Sequence, residues 1–429
     1  MRRRGAAVTM VLPSSSSRTA AGAARRVVIV GGGQAAGAAL KTLRQLGHAG
    51  PIVLVTDEAH APYERPPLSK EYLCGAEQAL RWVAPGTLAN EQLVVNRTAV
   101  AGDAARKTIT CSDGSTIAYD LLLLATGGSP RRLAVPGSEL GLVHVLRNAS
   151  DAIALRRSIE RCARQQRRLL IVGGSWIGLE VAAIAREAGV EVTLVEQGER
   201  LCGRTLPAAA AHWLHELHAL RGVDLRMQTA VLRLEGDGEV GNARLSDGTG
   251  LAIGAVVAGI GITPNVALAQ QMGLRIGSGI VVDAHGRTSA PDIYAAGDVT
   301  EQACAWHMAP VRIETWDNAN RQGEAAARHI AGLECAAPEC AAPPWFWSDQ
   351  YGANLQVLGA PTCGDAVLTG TGGKDARLSV HLRGETVVGA VGINESREMR
   401  RLRKLWSAEG PLRRPDLARA GFELHQLQI

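Results

Sequence analysis

Two glycine-rich loops carry the clearest chemical signal in this chain. The first, Gly31-Gly32-Gly33-Gln34-Ala35-Ala36-Gly37, fits G-x-G-x-x-G/A. At that spacing Gly31 allows a tight turn and Gly33 lets the backbone approach a pyrophosphate. The small residue at 36 lets helix and strand pack closely. The free N–H groups and positive dipole end of the following helix suit phosphate oxygens. Asp57 ends the next strand, where a carboxylate can hold a ribose. The second loop is Gly173-Gly174-Ser175-Trp176-Ile177-Gly178, with Ser175 in place of the middle glycine. Glu196 ends the strand after it. A carboxylate there binds the free ribose hydroxyls of NAD and repels the extra phosphate of NADP. Arg200, four residues on, works against that preference.

The elements around each loop follow one pattern. Arg26–Val30 is a buried-strand run, Ala35–Leu46 reads as a helix, and Ile52–Thr56 as a second strand. The same βαβ order returns with strand Leu169–Val172, a helix to about Ala188, and strand Glu191–Val195. The stretch Ala99–Leu124 reads as antiparallel, with a hairpin at Asp113-Gly114. A matching stretch, Ala230–Ile260, turns at Asp247-Gly248. Strands near 280–282 and 293–296 follow. From about 335 the chain is an Ala/Pro-rich linker, then short strands (355–358, 377–382, 386–391) and a basic helix near 395–407.

Length and composition set bounds on this reading. A chain of 429 residues exceeds one ordinary domain. Hydrophobic residues at 46% and charged residues at 20% fit a globular protein, and a net charge of +5 does not call for nucleic acid. No apolar run approaches the roughly 18 residues of a membrane span. The cysteines at 74, 111, 162, 202, 304, 335, 340 and 363 form no C-x-x-C and no zinc spacing, so no metal site is expected. Such scattered thiols fit a reduced, cytoplasmic protein. The first 24 residues read as a disordered tail, because the apolar patch that follows Arg2-Arg3-Arg4 ends at Pro13, too soon for a good secretory leader.

The segment Thr288-Ser289-Ala290-Pro291-Asp292-Ile293-Tyr294-Ala295-Ala296-Gly297-Asp298 closely resembles the T-x-x-P-x-I-Y-A-x-G-D stretch of the two-dinucleotide flavoprotein reductases. Leu124-Ala125-Thr126-Gly127-Gly128 and Gly259-Ile260-Gly261-Ile262-Thr263-Pro264-Asn265 look like that superfamily's two crossings between domains. Three further stretches resemble the oxygenase-coupled ferredoxin reductases, including those of biphenyl-type dioxygenases. They are Pro62–Lys70 (PYERPPLSK), Val311–Ala319 (VRIETWDNA) and Trp345–Tyr351 (WFWSDQY). The resemblance covers roughly residues 25–400.

It implies an α/β chain with two Rossmann-like dinucleotide-binding domains in a glutathione-reductase-like arrangement, plus a C-terminal α+β reductase domain. The FAD domain would be discontinuous, 25–135 and 262–334, the NAD domain 136–261 and the C-terminal interface domain 335–429. Tightly bound FAD would occupy the first loop, with contacts at Gly31, Gly33, Gln34, Ala35, Asp57, Arg65, Pro66, Lys70, Val100, Ala125, Gly127, Arg147, Asp298, Val311 and Trp316. Exchanging NADH would occupy the second, at Gly173, Gly174, Ser175, Trp176, Ile177, Gly178, Glu180, Glu196 and Gly261. Lys70, paired with Glu180, would approach the reactive part of the flavin, and Trp316 would lie against it.

What is missing narrows the chemistry further. Disulfide reductases of this superfamily carry a redox cysteine pair, and peroxidases one cysteine, near the segment held here by Pro66-Pro67-Leu68-Ser69. Without a thiol, electrons must leave the flavin itself, which accepts two and releases them singly. The resemblance therefore implies an NADH-dependent reductase for a [2Fe–2S] ferredoxin, which feeds a terminal oxygenase that hydroxylates an aromatic ring. A reductase for rubredoxin or a cytochrome P450 ferredoxin shares every motif. A thiol-dependent NADH oxidase shares the fold, but the missing cysteine argues against it. A non-enzymatic signalling flavoprotein of the same superfamily would turn NADH over slowly. The run Arg397, Arg400, Arg401, Arg403 and Lys404 reads either as a solvated helix face or as a docking patch for an acidic ferredoxin. His307 receives no role.

Overall fold

The computed structural model describes residues 25–426 apart from 77, 79, 87, 305–308, 334–342 and 371–376. The N-terminal tail, the Ala/Pro-rich linker, Cys335, Cys340 and His307 lie outside the described residues. No helix among those described is long and apolar enough to cross a membrane, and no His/Cys/Asp/Glu group among them could hold a metal.

The first sheet is all parallel. Its strand order is Ile293–Ala295, Leu121–Leu124, Val27–Val30, Ile52–Val55 and Glu91–Val94. The inner strands are buried along their whole length, as expected where both faces of a sheet are covered. Helix Gln34–Gln45 packs on helix Trp316–Ile330 through small residues. A Cβ at Gly323 would stand 2.3 Å from the Ala35 carbonyl oxygen, so this contact accounts for part of the chain's Ala and Gly content. The second sheet repeats the plan, in the order Asp224–Arg226, Val192–Val195, Leu169–Val172, Ala255–Ala258 and Val143–His144, again all parallel.

Each sheet carries a three-stranded antiparallel attachment, formed by 99–103, 108–111 and 116–118 in one case and 231–237, 239–245 and 250–252 in the other. The expected turns at Asp113-Gly114 and Asp247-Gly248 are present. In each, the aspartate side chain accepts the N–H two residues on, from Ser115 and Thr249. Two expectations need correction. Leu121–Leu124 and Ala255–Ala258 are parallel central strands, not parts of the antiparallel stretches. Their unbroken apolar composition suits burial on both faces. A further hairpin, at Asp237-Gly238, lies inside the second attachment.

The chain crosses between the two sheets at one place. Gly128–Pro130 and Ile262–Pro264 pair antiparallel, so the outgoing and returning segments bond to each other. Ile293–Ala295 then completes the first sheet. The C-terminal part is a six-stranded antiparallel sheet backed by helices Ser396–Glu409 and Arg414–Arg419 around Met399, Leu402 and Trp406. Its other face joins the rest of the molecule. Leu355, Val357, Val391 and Ile393 share one core cluster with Leu68, Leu73, Leu179 and Leu194. Three parts of the chain thus meet in a single apolar core.

Candidate active site

The first glycine loop is shaped by what cannot fit there. Gly31 has φ +125°, and a Cβ on it would lie 2.1 Å from the Ala125 carbonyl oxygen. Gly33 precedes the helix with no side-chain cap, so the N–H groups of the first turn remain open to a ligand. Arg65 reaches across this end. Its guanidinium donates to the Tyr63 hydroxyl (2.8 Å), the Arg147 carbonyl (3.1 Å) and the Gly32 carbonyl (3.4 Å), and it pairs with Glu58. Pro66 opens the short 3-10 turn that delivers Lys70. Arg147 Nη2 lies 3.2 Å from Asp298 Oδ2, and a Cβ at Gly127 would come within 3.0 Å of that same nitrogen. Ala125 is buried at the end of its strand, and Val311 forms a bridge with Gln302.

Three buried polar atoms in this region have no protein partner: Gln34 Oε1, Arg65 Nε and Trp316 Nε1. Buried polar groups are normally satisfied. Together with the uncapped helix end, they fit a large polar ligand with a pyrophosphate, as FAD is. Two expected contacts sit less centrally. Val100 is exposed, at a bulge in the antiparallel attachment, where its carbonyl accepts from Gln271. Asp57 is exposed one residue beyond the sheet position that matches Glu196, because Thr56 takes that position beneath Gly32.

The second loop differs in its details. Gly173 has φ +107°, with the Gly259 carbonyl oxygen 2.5 Å from where a Cβ would be. A Cβ at Gly178 would lie 2.4 Å from the Gly173 oxygen. Ser175 has φ −89°, which any residue adopts, and its hydroxyl accepts from Gly178 N–H as the helix cap. The substitution therefore supplies a cap rather than straining the loop. Glu196 accepts from Gly174 N–H and Gly198 N–H, both at 2.7 Å, which orients the carboxylate along the loop. Trp176 packs on Phe346, Ile177 is exposed, and Gly261 at φ +93° presents its carbonyl to Arg131 N–H (2.9 Å).

Lys70, at the end of the Pro66–Ser69 turn, meets Glu180 of the helix that follows the second loop. Lys70 Nζ is 2.7 Å from Glu180 Oε1. Glu180 also accepts from Ser69, and from Ser348 at 2.6 Å. On the strand that carries Ser348, Trp347 meets Trp316 edge-on with ring centres 5.7 Å apart and stacks on Trp345 at 4.9 Å.

The family described as pyridine nucleotide-disulphide oxidoreductase matches residues 25–323, and the reductase C-terminal family matches residues 345–428. The chain belongs to the pyridine nucleotide-disulphide oxidoreductase family, among its ferredoxin–NAD(+) reductases. One relative is the 3-phenylpropionate/cinnamic acid dioxygenase ferredoxin–NAD(+) reductase component of Photorhabdus laumondii. It is 36% identical over 86% of this chain and 93% of its own length. Among solved structures, the covalent putidaredoxin reductase–putidaredoxin complex is 34% identical with a TM-score of 0.86, covering 94% of this chain and 97% of that one. A ferredoxin reductase for the CYP199A2 system of Rhodopseudomonas palustris is 30% identical with a TM-score of 0.83, covering 92% and 97%.

This family uses FAD and a nicotinamide dinucleotide. Despite the family's name, no thiol occupies residues 66–69 of this reductase. Cys74 is exposed outside that turn, and its thiol is raised above the ordinary value by desolvation, with Glu187 and Glu71 adding to it. A thiol held protonated is a poor nucleophile.

The basic run is only partly free. Arg403 pairs with Asp317 at 2.5 Å and lies over the Trp345 ring at 4.7 Å, so it braces the tryptophan cluster. Arg401 pairs with Glu398. Arg397, Arg400 and Lys404 are exposed. Sequence reasoning assigned no role to Tyr63, Glu58, Ser69, Ser348, Gln350 or His218. Ser69 and Ser348 lay within the quoted motifs, but nothing in their spacing links them to Glu180.

Proposed function

We propose that this reductase is an NADH:ferredoxin oxidoreductase, with FAD as resident cofactor, NADH as exchanging substrate and a [2Fe–2S] ferredoxin as acceptor. The FAD domain would comprise 25–135 and 262–334, the NAD domain 136–261 and the interface domain 335–429. The balance is NADH plus two oxidised ferredoxins giving NAD+, two reduced ferredoxins and one proton. FAD, when bound, takes up two electrons as hydride and releases them one at a time.

The observation that carries the proposal is the Lys70–Glu180 pair, which joins the Pro66–Ser69 turn, itself without a thiol, to the helix that follows the second glycine loop. The first helix end, Arg65, Arg147 and Asp298 would hold FAD. The second helix end and Glu196 would hold NADH. Glu196, already aligned by two backbone N–H groups, favours NADH because a 2′-phosphate would meet its negative charge. Lys70 supplies positive charge where the two ligands would meet, and Glu180 fixes its direction. Preset charge of this kind needs no reorganisation during the reaction.

The ferredoxin would serve an aromatic-ring-hydroxylating dioxygenase; the Photorhabdus relative is named as the reductase component of a 3-phenylpropionate/cinnamic acid dioxygenase. A second reading, service to a P450-type system, draws on the Rhodopseudomonas relative. The test is NADH oxidation by the purified holoenzyme with oxygen alone, with a [2Fe–2S] ferredoxin plus cytochrome c, and with each oxygenase type added. Strong stimulation by ferredoxin, with little use of NADPH, is the expected result. Vigorous oxygen consumption without ferredoxin would place the protein among the oxidases.

A further inference from the structure

The Glu180 carboxylate is the end point of a buried hydrogen-bond chain that begins in the C-terminal sheet and the second dinucleotide domain. Ser348 Oγ lies 2.6 Å from Glu180 Oε1, Gln350 Nε2 lies 2.9 Å from Ser348 Oγ, and Gln350 Oε1 lies 2.6 Å from His218 Nε2. All four side chains are nearly inaccessible: Glu180 is 4% exposed, Ser348 1%, Gln350 4% and His218 0%. Ser348 and Gln350 sit on strand Trp345–Gln350, at positions that face the same side. His218 comes from helix Ala208–Leu220.

The direction of each bond follows from its chemistry. An ion-paired carboxylate can only accept, so the Ser348 hydroxyl must donate to Glu180. Its oxygen is then free to accept, and the Gln350 amide must present its NH2 group there. That choice turns the Gln350 carbonyl towards His218, whose Nε2 must carry a hydrogen. Burial pushes the His218 imidazole down to about 4, so at neutral pH it has one N–H, and this bond fixes it on Nε2. Nδ1 is left to accept, and the Tyr351 hydroxyl stands 3.5 Å from it. Every donor therefore points towards Glu180. Aligned chains of this kind polarise one another.

We propose that Ser348 and Gln350 are positioning residues for hydride transfer, holding the Glu180 carboxylate against Lys70. The C-terminal strand is then part of the nicotinamide site. Packing alone does not demand these residues, because an apolar pair would fill the same volume without leaving polar groups to satisfy. Ser69 of the first domain holds Oε2 of Glu180, and Ser348 of the third shares Oε1 with Lys70. Loss of Ser348 leaves Oε1 to Lys70 alone, so the carboxylate is held by one contact on each oxygen.

This inference rests on the proposed part played by Lys70 and Glu180, so the experiment separates the two. The chain has five lysines, which makes 13C-methylated lysine resonances simple to assign in the holoenzyme. Three variants are compared with the unaltered protein: Ser348→Ala, Ser348→Thr, which keeps the hydroxyl, and Gln350→Met, which keeps the volume. Ser348→Ala is expected to shift the Lys70 resonance. It should slow flavin reduction by NADH about tenfold, the effect of one hydrogen bond to a charged group, with little change in NADH affinity. Gln350→Met should act in the same direction more weakly, and Ser348→Thr should restore both readouts. An unmoved Lys70 resonance in both Ser348→Ala and Gln350→Met overturns the inference. A shifted resonance with an unchanged reduction rate also overturns it. If Lys70→Ala then keeps its rate as well, the failure lies in the role given to the pair itself.

Discussion

Lys70 Nζ and Glu180 Oε1 stand 2.7 Å apart although 110 residues of chain separate them. Their side chains are 16% and 5% exposed, so the pair is largely out of water. Breaking such a pair by removing one partner costs about 3–5 kcal/mol, because the other charge is left buried. Replacing both with apolar groups is far less costly. We therefore expect Lys70→Ala to lose both stability and rate. The double variant Lys70→Met with Glu180→Leu should regain part of the stability, the rest being lost with the acceptor of the Ser69 and Ser348 hydroxyls, while flavin reduction by NADH stays slow. Urea melts and rapid-mixing absorbance measure the two quantities separately. A double variant that recovers its rate would leave the pair with a structural role only.

The glycines of the first loop should fail in different ways. Gly31→Ala forces a Cβ into the Ala125 carbonyl at a left-handed φ, so it should fold poorly. Gly33 has an ordinary φ of −94°, and the nearest atom to its added Cβ is 4.0 Å away. Gly33→Ala should therefore melt at the native temperature as apoprotein yet retain little FAD. The visible-to-ultraviolet absorbance ratio after gel filtration reads retention. Equal flavin content in Gly33→Ala and the unaltered protein would contradict the assignment of FAD to this loop.

Glu196→Ala frees the Gly174 and Gly198 N–H groups and removes the negative charge. The ratio of kcat/KM for NADPH over NADH should rise about tenfold or more, in line with the loss of one charge repulsion. Steady-state kinetics with a dye acceptor tests this without any ferredoxin. An unchanged ratio would remove Glu196 as the discriminating residue.

Two buried histidines set an acid limit on stability. Burial lowers both His218 and His381 to about 4, whereas an unfolded histidine titrates near 6.5. Above pH 6.5 neither state holds the proton, so these groups add no pH dependence. Between about 6.5 and 4 the unfolded chain binds protons that the folded one does not, and stability falls as pH drops. Below about 4 both states are protonated and the loss levels off. Each group can remove up to about 3 kcal/mol. The urea midpoint should fall between pH 7 and pH 4.5, and His218→Gln should flatten that slope.

Local rules were enough to place the two dinucleotide folds. Each strand–loop–helix–strand run is a short-range pattern, in which burial on both faces demands unbroken apolar strands and a left-handed turn demands glycine. The first strand, its helix and the second strand fall at 27–30, 34–45 and 52–55, within a residue of the sequence reading. The hairpins at Asp113 and Asp247 were legible for the same reason, since the aspartate caps its own turn. Arg65, Lys70 and Asp298 were singled out by the resemblance of their motifs to a family, not by any local rule of spacing or burial. The parallel pairing of Leu121–Leu124 and Ala255–Ala258 was not legible, because an apolar run of four shows burial but not its partners. Nor could spacing reveal the offset between Asp57 and Glu196, which depends on which residue lies under each glycine loop. Most of all, tertiary structure decided the surroundings of Glu180. Ser69, Ser348, Gln350 and His218 come from three regions of the chain, and only the shared apolar core brings them to one carboxylate.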